Sequence, residues 1–212
     1  MRMARLALAF AAPFLLVSCL LSPGRFVSTL DIRKDRSFTF TYVGEAIAPE
    51  PEGADTKGKP ATGKVTFTQN AAEMRAMADA LGKEQGYRSV EYVGGRTFKV
   101  DYAISGTLDR NFVYPTNLDA LAFVPWVAVE VRKDSTIRVK ALAFGDMSDS
   151  GPAGQAAGGT AKGREGTFTL TTDASLIMQN NEDGATPGPP AKVVWKITPT
   201  TKTVPTAVIR FP

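Results

Sequence analysis

Apolar and polar residues alternate with a period of two along most of this chain, which limits the fold to one built from half-buried strands. Over 25–32, Phe26, Leu30 and Ile32 alternate with Val27, Thr29 and Asp31. Over 37–45, Phe38, Phe40 and Tyr42 alternate with Thr39 and Thr41, and the polar run Arg33-Lys34-Asp35-Arg36 between them reads as a hairpin turn. A second hairpin pairs 87–93 with 96–105 about Gly94-Gly95, which supplies the positive φ angles of a tight turn. A third pairs 126–132 with 136–144 about Lys133-Asp134-Ser135. Strand character also marks 64–69, 167–172, 174–180, 192–198 and 204–211. Pro205, near the start of the last run, predicts an edge strand.

One segment departs from this period. Met74, Met77, Ala78 and Leu81 recur at helical spacing, which predicts a helix over 71–84. Asn70, three residues before Glu73, suits its start, and Gly82 or Gly86 its end. A helical turn is expected near 117–122. The fold class is therefore α+β: a mostly antiparallel sheet of hairpins with one main helix packed on it. Two stretches lack any apolar pattern to offset ordering entropy, the Pro/Gly-rich 48–63 and the Gly/Ala-rich 145–166, and flexible loops are expected there.

The front end has a different grammar. Arg2 and Arg5 precede an apolar run over 6–17, with Pro13 inside it. The run is too short to cross a hydrocarbon core, which needs ~20 residues, but it suits a secretory signal. It ends in Leu16-Val17-Ser18-Cys19, which resembles the lipobox of bacterial lipoproteins. That resemblance implies removal of residues 1–18 and acylation of Cys19 by chains such as palmitate. Residues 19–24 then form a short tether and 25–212 a single domain. Leu20, where an Asp would favour inner-membrane retention, implies the periplasmic face of the outer membrane.

Composition excludes much chemistry. The chain has no His, which removes Ser-His-Asp and Cys-His catalysis and His-ligated metals. Its single Cys is assigned to lipid, leaving no thiol nucleophile and no disulfide. Lys and Arg number 25 against 21 Asp and Glu, and no basic run carries interleaved aromatics, so no nucleic-acid partner is expected. The Asp146/Asp149 and Glu182/Asp183 pairs sit in predicted loops, where carboxylates stay solvated. No enzyme activity, cofactor or metal is expected.

Near the end of the chain, Asn180-Asn181, Asp183-Gly184 and Val194-Trp195-Lys196-Ile197 are similar to a pattern of the mycobacterial LppM-like lipoprotein domain. That resemblance implies an α+β lipoprotein domain implicated in lipid binding. The expected function is a non-catalytic envelope lipoprotein binding a lipid or glycolipid, with docking on another envelope protein as the alternative. If a ligand pocket exists, Met74, Met77, Trp126 and Trp195 are its candidate lining.

Overall fold

The computed structural model describes residues 21–48, 70–115, 125–146 and 163–212. Cys19, the strand expected at 64–69, the helical turn expected near 117–122 and most of the two expected loops lie outside these residues.

Eleven strands and one α-helix are described. The first sheet contains β1 (Ser22–Ile32), β2 (Ser37–Ile47), β3 (Tyr87–Gly94), β4 (Thr97–Thr107), β8 (Glu165–Thr172) and β10 (Ala191–Ile197), in the order β10-β8-β1-β2-β4-β3. The second contains β5 (Phe112–Tyr114), β6 (Val127–Val131), β7 (Thr136–Lys140), β9 (Ser175–Gln179) and β11 (Thr206–Arg210), in the order β5-β6-β7-β11-β9. The three expected hairpins form as β1–β2, β3–β4 and β6–β7. Gly94 and Gly95 take φ of +109° and +60°, as that turn requires.

The alternation decides which side chains are buried. Phe26, Leu30 and Ile32 of β1 and Phe38, Phe40 and Tyr42 of β2 turn inward, while Val27 and Val43 stay exposed. Inward residues of both sheets and of the helix join one core. Helix α1 (Ala71–Leu81) buries Met74, Met77, Ala78 and Leu81 and lies against β3. The Asn70 side chain caps it by accepting the Ala72 N–H at 2.9 Å. It ends at Leu81 with Gly82 as its C-cap, short of the expected 84, because the bonds that follow, Lys83 N–H to the Ala80 carbonyl and Glu84 N–H to the Leu81 carbonyl, span three residues and not four.

Four local expectations are corrected. Residues 142–144 form a 3₁₀ turn (Leu142–Phe144) and not the end of β7, which places Phe144 in the core. Strand β11 is interior, between β7 and β9. Pro205 precedes its first residue, so the missing N–H costs no ladder bond. The tether expected over 19–24 is shorter, since β1 begins at Ser22 and Leu21 is already buried. Both ends of the stretch 145–166, expected as a loop, belong to the fold: Gly145 is bonded to Arg164, and β8 begins at Glu165.

One pairing is parallel, β1 with β8, in register from Arg25–Glu165 to Ile32–Thr172. At its start β1 carries a bulge between Pro23 and Phe26. Glu45 fills the gap there, accepting Arg25 N–H at 3.2 Å and pairing with the Arg25 guanidinium at 2.6 Å. Gly44 and Gly166 border this irregular stretch. A Cβ on Gly44 would stand 2.4 Å from the Arg25 carbonyl oxygen, and one on Gly166 would stand 2.2 Å from that of Phe26.

That ion pair yields a pH prediction. The Arg25 hydrogen bond holds the Glu45 carboxyl below its ordinary value of 4.5. A lowered folded value means that the pair's stabilisation is present above 4.5 and is lost as the pH falls through the folded value. Arg25 is mostly exposed, so solvent keeps the effect small. The expected melting temperature of Glu45→Gln is slightly below wild type near neutral pH, and the gap closes in acid. Thermal melts of both proteins across that range check it.

Candidate functional site

A run of aromatic rings fills the space between the sheets. From one side, Trp195 stacks on Phe168 at 5.5 Å, Phe168 meets Phe144 at 5.6 Å, and Phe144 stacks on Phe26 at 4.3 Å. Phe26 meets Tyr42 at 5.4 Å, and Tyr42 meets both Tyr114 and Trp126, at 5.7 and 5.1 Å. Tyr114 continues the run to Phe40 and Tyr102 at 4.9 and 4.4 Å. These separations are those of rings in contact. Desolvation raises the Tyr42 and Tyr114 phenols well above 10, and Tyr42 donates its proton to the Glu45 carbonyl at 2.7 Å.

The four residues predicted to line a pocket all lie in this core, but not together. Met74 and Met77 lie on α1 beside β3, one edge of the first sheet, whereas Trp195 lies on β10, the opposite edge. Trp126 lies beyond Tyr42 and donates its indole N–H to the Leu21 carbonyl at 2.8 Å. Trp195 donates to Asn180 Oδ1 at 3.1 Å. Both indoles are buried with their one donor satisfied, and four rings separate them.

The asparagine pattern near the chain end has a local structural reason. Asn180 Oδ1 also accepts Thr206 N–H at 2.8 Å, and its amide donates to the Val204 carbonyl at 2.8 Å. Asn181 donates to the Val194 carbonyl at 2.6 Å and accepts Asp183 N–H at 2.7 Å, and Gly184 supplies φ of +76°. Together they clasp β9, β10 and the entry to β11.

The N-terminal end of β1 defines one pole of the molecule. Leu21 and Ser22 are already buried there, so the chain joins the fold two residues after Cys19. Ser22 stands opposite Ile47, Ile47 opposite Thr97, and Thr97 opposite Gly94, so four strands end at this level. Arg164 closes the same pole. Its guanidinium donates to the carbonyls of Ala143, Gly145 and Thr201 at 3.1, 2.6 and 3.1 Å. Burial lowers its pKa, and the Asp146 carboxylate opposes that shift. Sequence reasoning missed this clasp, because one Arg at the end of a Gly/Ala-rich stretch carries no pattern.

The rest of the described surface shows little chemistry. At the far pole, an open depression of about 290 Å³ is lined by Lys34, Asp173, Ala174, Ser175, Arg210 and Phe211 and by the terminal Pro212. Ser37 and Thr136 hydrogen bonds lower Asp35 and Asp134, the opposite of what a general acid needs. Among the described residues, no three His, Cys, Asp or Glu side chains group to hold a metal, and no helix is long and apolar enough to cross a membrane. Edge strand β9 exposes Ile177 and Met178.

The sequence matches no family profile and no curated protein. Among solved structures, it is similar to the folded domain of LppM from Mycobacterium tuberculosis, determined by NMR. That alignment covers 90% of this chain and 91% of that one, at 15% identity and a TM-score of 0.38, which is too distant to transfer a residue or a role.

Proposed function

We propose that this protein is a non-catalytic, lipid-anchored lipoprotein of the cell envelope, with its domain docking on another envelope component through its outer surface. Residues 1–18 act as the signal, Cys19 carries the acyl chains, and Leu20 directs the protein to the periplasmic face of the outer membrane. The observation that carries this reading is the burial of Leu21 only two residues after Cys19. A lipid on Cys19 therefore holds the whole domain against the bilayer. Two or more acyl chains make such an anchor stable where one is marginal.

Docking is favoured over carriage of a lipid inside the domain because the rings between the sheets are already in mutual contact. An acyl chain there would have to displace them, which costs their packing. The edge position of β9 among the described strands, with Ile177 and Met178 exposed, supports a surface role. The absence of His from the sequence, together with surface carboxylates held in their ionised form, supports a non-catalytic role.

Native mass spectrometry of the protein extracted from its membrane tests the choice. The expected mass is the mature chain plus covalent acyl groups and nothing further. A stoichiometric non-covalent lipid, retained after detergent exchange, would contradict docking and restore the carrier reading.

A further inference from the structure

Five large apolar side chains are exposed among the described residues: Val27, Val43, Val93, Ile177 and Met178. Four of them lie along strand bodies, whereas Val93 alone sits at a hairpin tip, Tyr92-Val93-Gly94-Gly95-Arg96. The tip stands at the pole where the chain enters the fold. Register fixes that placement, since Gly94 pairs with Thr97, Thr97 with Ile47 and Ile47 with Ser22. The tip and the chain entry are thus level with each other, three strand spacings or about 14 Å apart.

The tether sets the distance from this pole to the membrane. From Cys19 to buried Leu21 is two residues, which span at most about 7 Å when fully extended. With Cys19 acylated, the bilayer surface lies no farther than that from the chain entry. A tip level with the entry is therefore within reach of the headgroups.

The tip is also built to stand there. A Cβ on Gly94 or Gly95 would meet nothing within 4 Å, so there is open space beside the turn at both positions. Val93 is 44% exposed. Tyr92 is half-buried and donates its hydroxyl to the Gly95 carbonyl at 3.1 Å, which stiffens the turn. Arg96 donates to the Ala48 carbonyl at 2.9 Å and ties the tip to the end of β2. An aliphatic side chain flanked by Tyr and Arg suits the boundary between headgroups and acyl chains.

We infer that the β3–β4 tip is a second membrane contact, with Val93 entering the lipid interface beside the acylated Cys19. The inference rests on the lipoprotein reading, and its partner is the lipid surface that holds the anchor. Two contacts about 14 Å apart, in place of one tether, restrict the domain's tilt on the membrane.

The test uses the full-length acylated protein, in which Cys19 is blocked and an introduced thiol is unique. Val93→Cys and Lys133→Cys, the latter in the β6–β7 turn at the far pole, each receive a polarity-sensitive fluorophore. Both are reconstituted into phosphatidylethanolamine–phosphatidylglycerol vesicles, with and without spin-labelled lipid. The label at position 93 should shift to the blue, be quenched by the spin-labelled lipid, and be shielded severalfold from aqueous iodide relative to position 133. Equal iodide quenching at the two positions, in protein that floats with the vesicles, would overturn the membrane contact and leave the anchor standing. Protein that fails to float would overturn the anchor, and the contact with it.

Discussion

Phe144→Ala should destabilise the domain by roughly 3–5 kcal/mol, the usual cost of removing a fully buried phenyl ring. Phe144 is fully buried and stacks on Phe26 of the first sheet at 4.3 Å while touching Phe168 at 5.6 Å. Its 3₁₀ turn is held from outside by Arg164, which grips the Ala143 and Gly145 carbonyls. The turn therefore cannot collapse freely into the space left, and an uncollapsed cavity adds to the lost transfer energy. Domains of this kind have about 5–15 kcal/mol in total, so the loss is a large fraction. Denaturant titration should show a lower midpoint with little change in slope. Val27→Ala, at an exposed position on the outer face of the same sheet, should stay within about 0.5 kcal/mol of wild type. A Phe144→Ala loss below about 1 kcal/mol would mean that the rings do not hold the two sheets together.

Cys19→Ala, with residues 1–18 replaced by a signal that is cleaved without acylation, should abolish membrane association while leaving the thermal transition where it was. The anchor and the core draw on different residues: Cys19 precedes the first buried residue, and the core begins at Leu21. Each buried methylene contributes about 0.8 kcal/mol to membrane partitioning, so losing two or more chains removes essentially all of it. The tip at Val93 offers one aliphatic side chain and cannot hold the protein on the bilayer alone. Membrane fractionation and flotation should therefore move the substituted protein from the membrane to the soluble fraction. Retention on the membrane would show that another segment carries the attachment.

Local patterns made the strands and the helix legible. The period of two in β1, β2 and β4 gave both the strands and their buried faces, since Phe40, Tyr42, Phe98 and Tyr102 all turn inward. Gly94-Gly95 marked its turn, and Asn70 marked the helix start through the bond that it makes. Pairings between distant segments were not legible. The parallel pair of β1 with β8 joins residues about as far apart as Arg25 and Glu165, and nothing local encodes it. The split of β8 and β9 between sheets is equally silent, because the chain crosses from one sheet to the other within Asp173-Ala174. Pro205 was read as an edge signal because its position just outside β11 depends on the final register.

The candidate site was legible in a similar, partial way. The sequence marks Met74, Met77, Trp126 and Trp195 as large and apolar, and such residues either line a cavity or fill it. Only the positions of Phe168, Phe144, Phe26 and Tyr42 between the two indoles show that Trp126 and Trp195 do not meet at one place. The Asn180–Trp195 bond joins two residues quoted together in the sequence pattern, and the fold supplies its reason, a clasp on β10 and β11. The Arg164 clasp left no trace in periodicity or composition.

The most direct measurement of the central claim is the intact mass of the protein purified from its membrane. A chain that begins at Cys19 and carries two or three acyl groups is predicted. A chain that keeps residues 1–18, or one with a free thiol at Cys19, would contradict the anchor and with it the orientation argued for the domain.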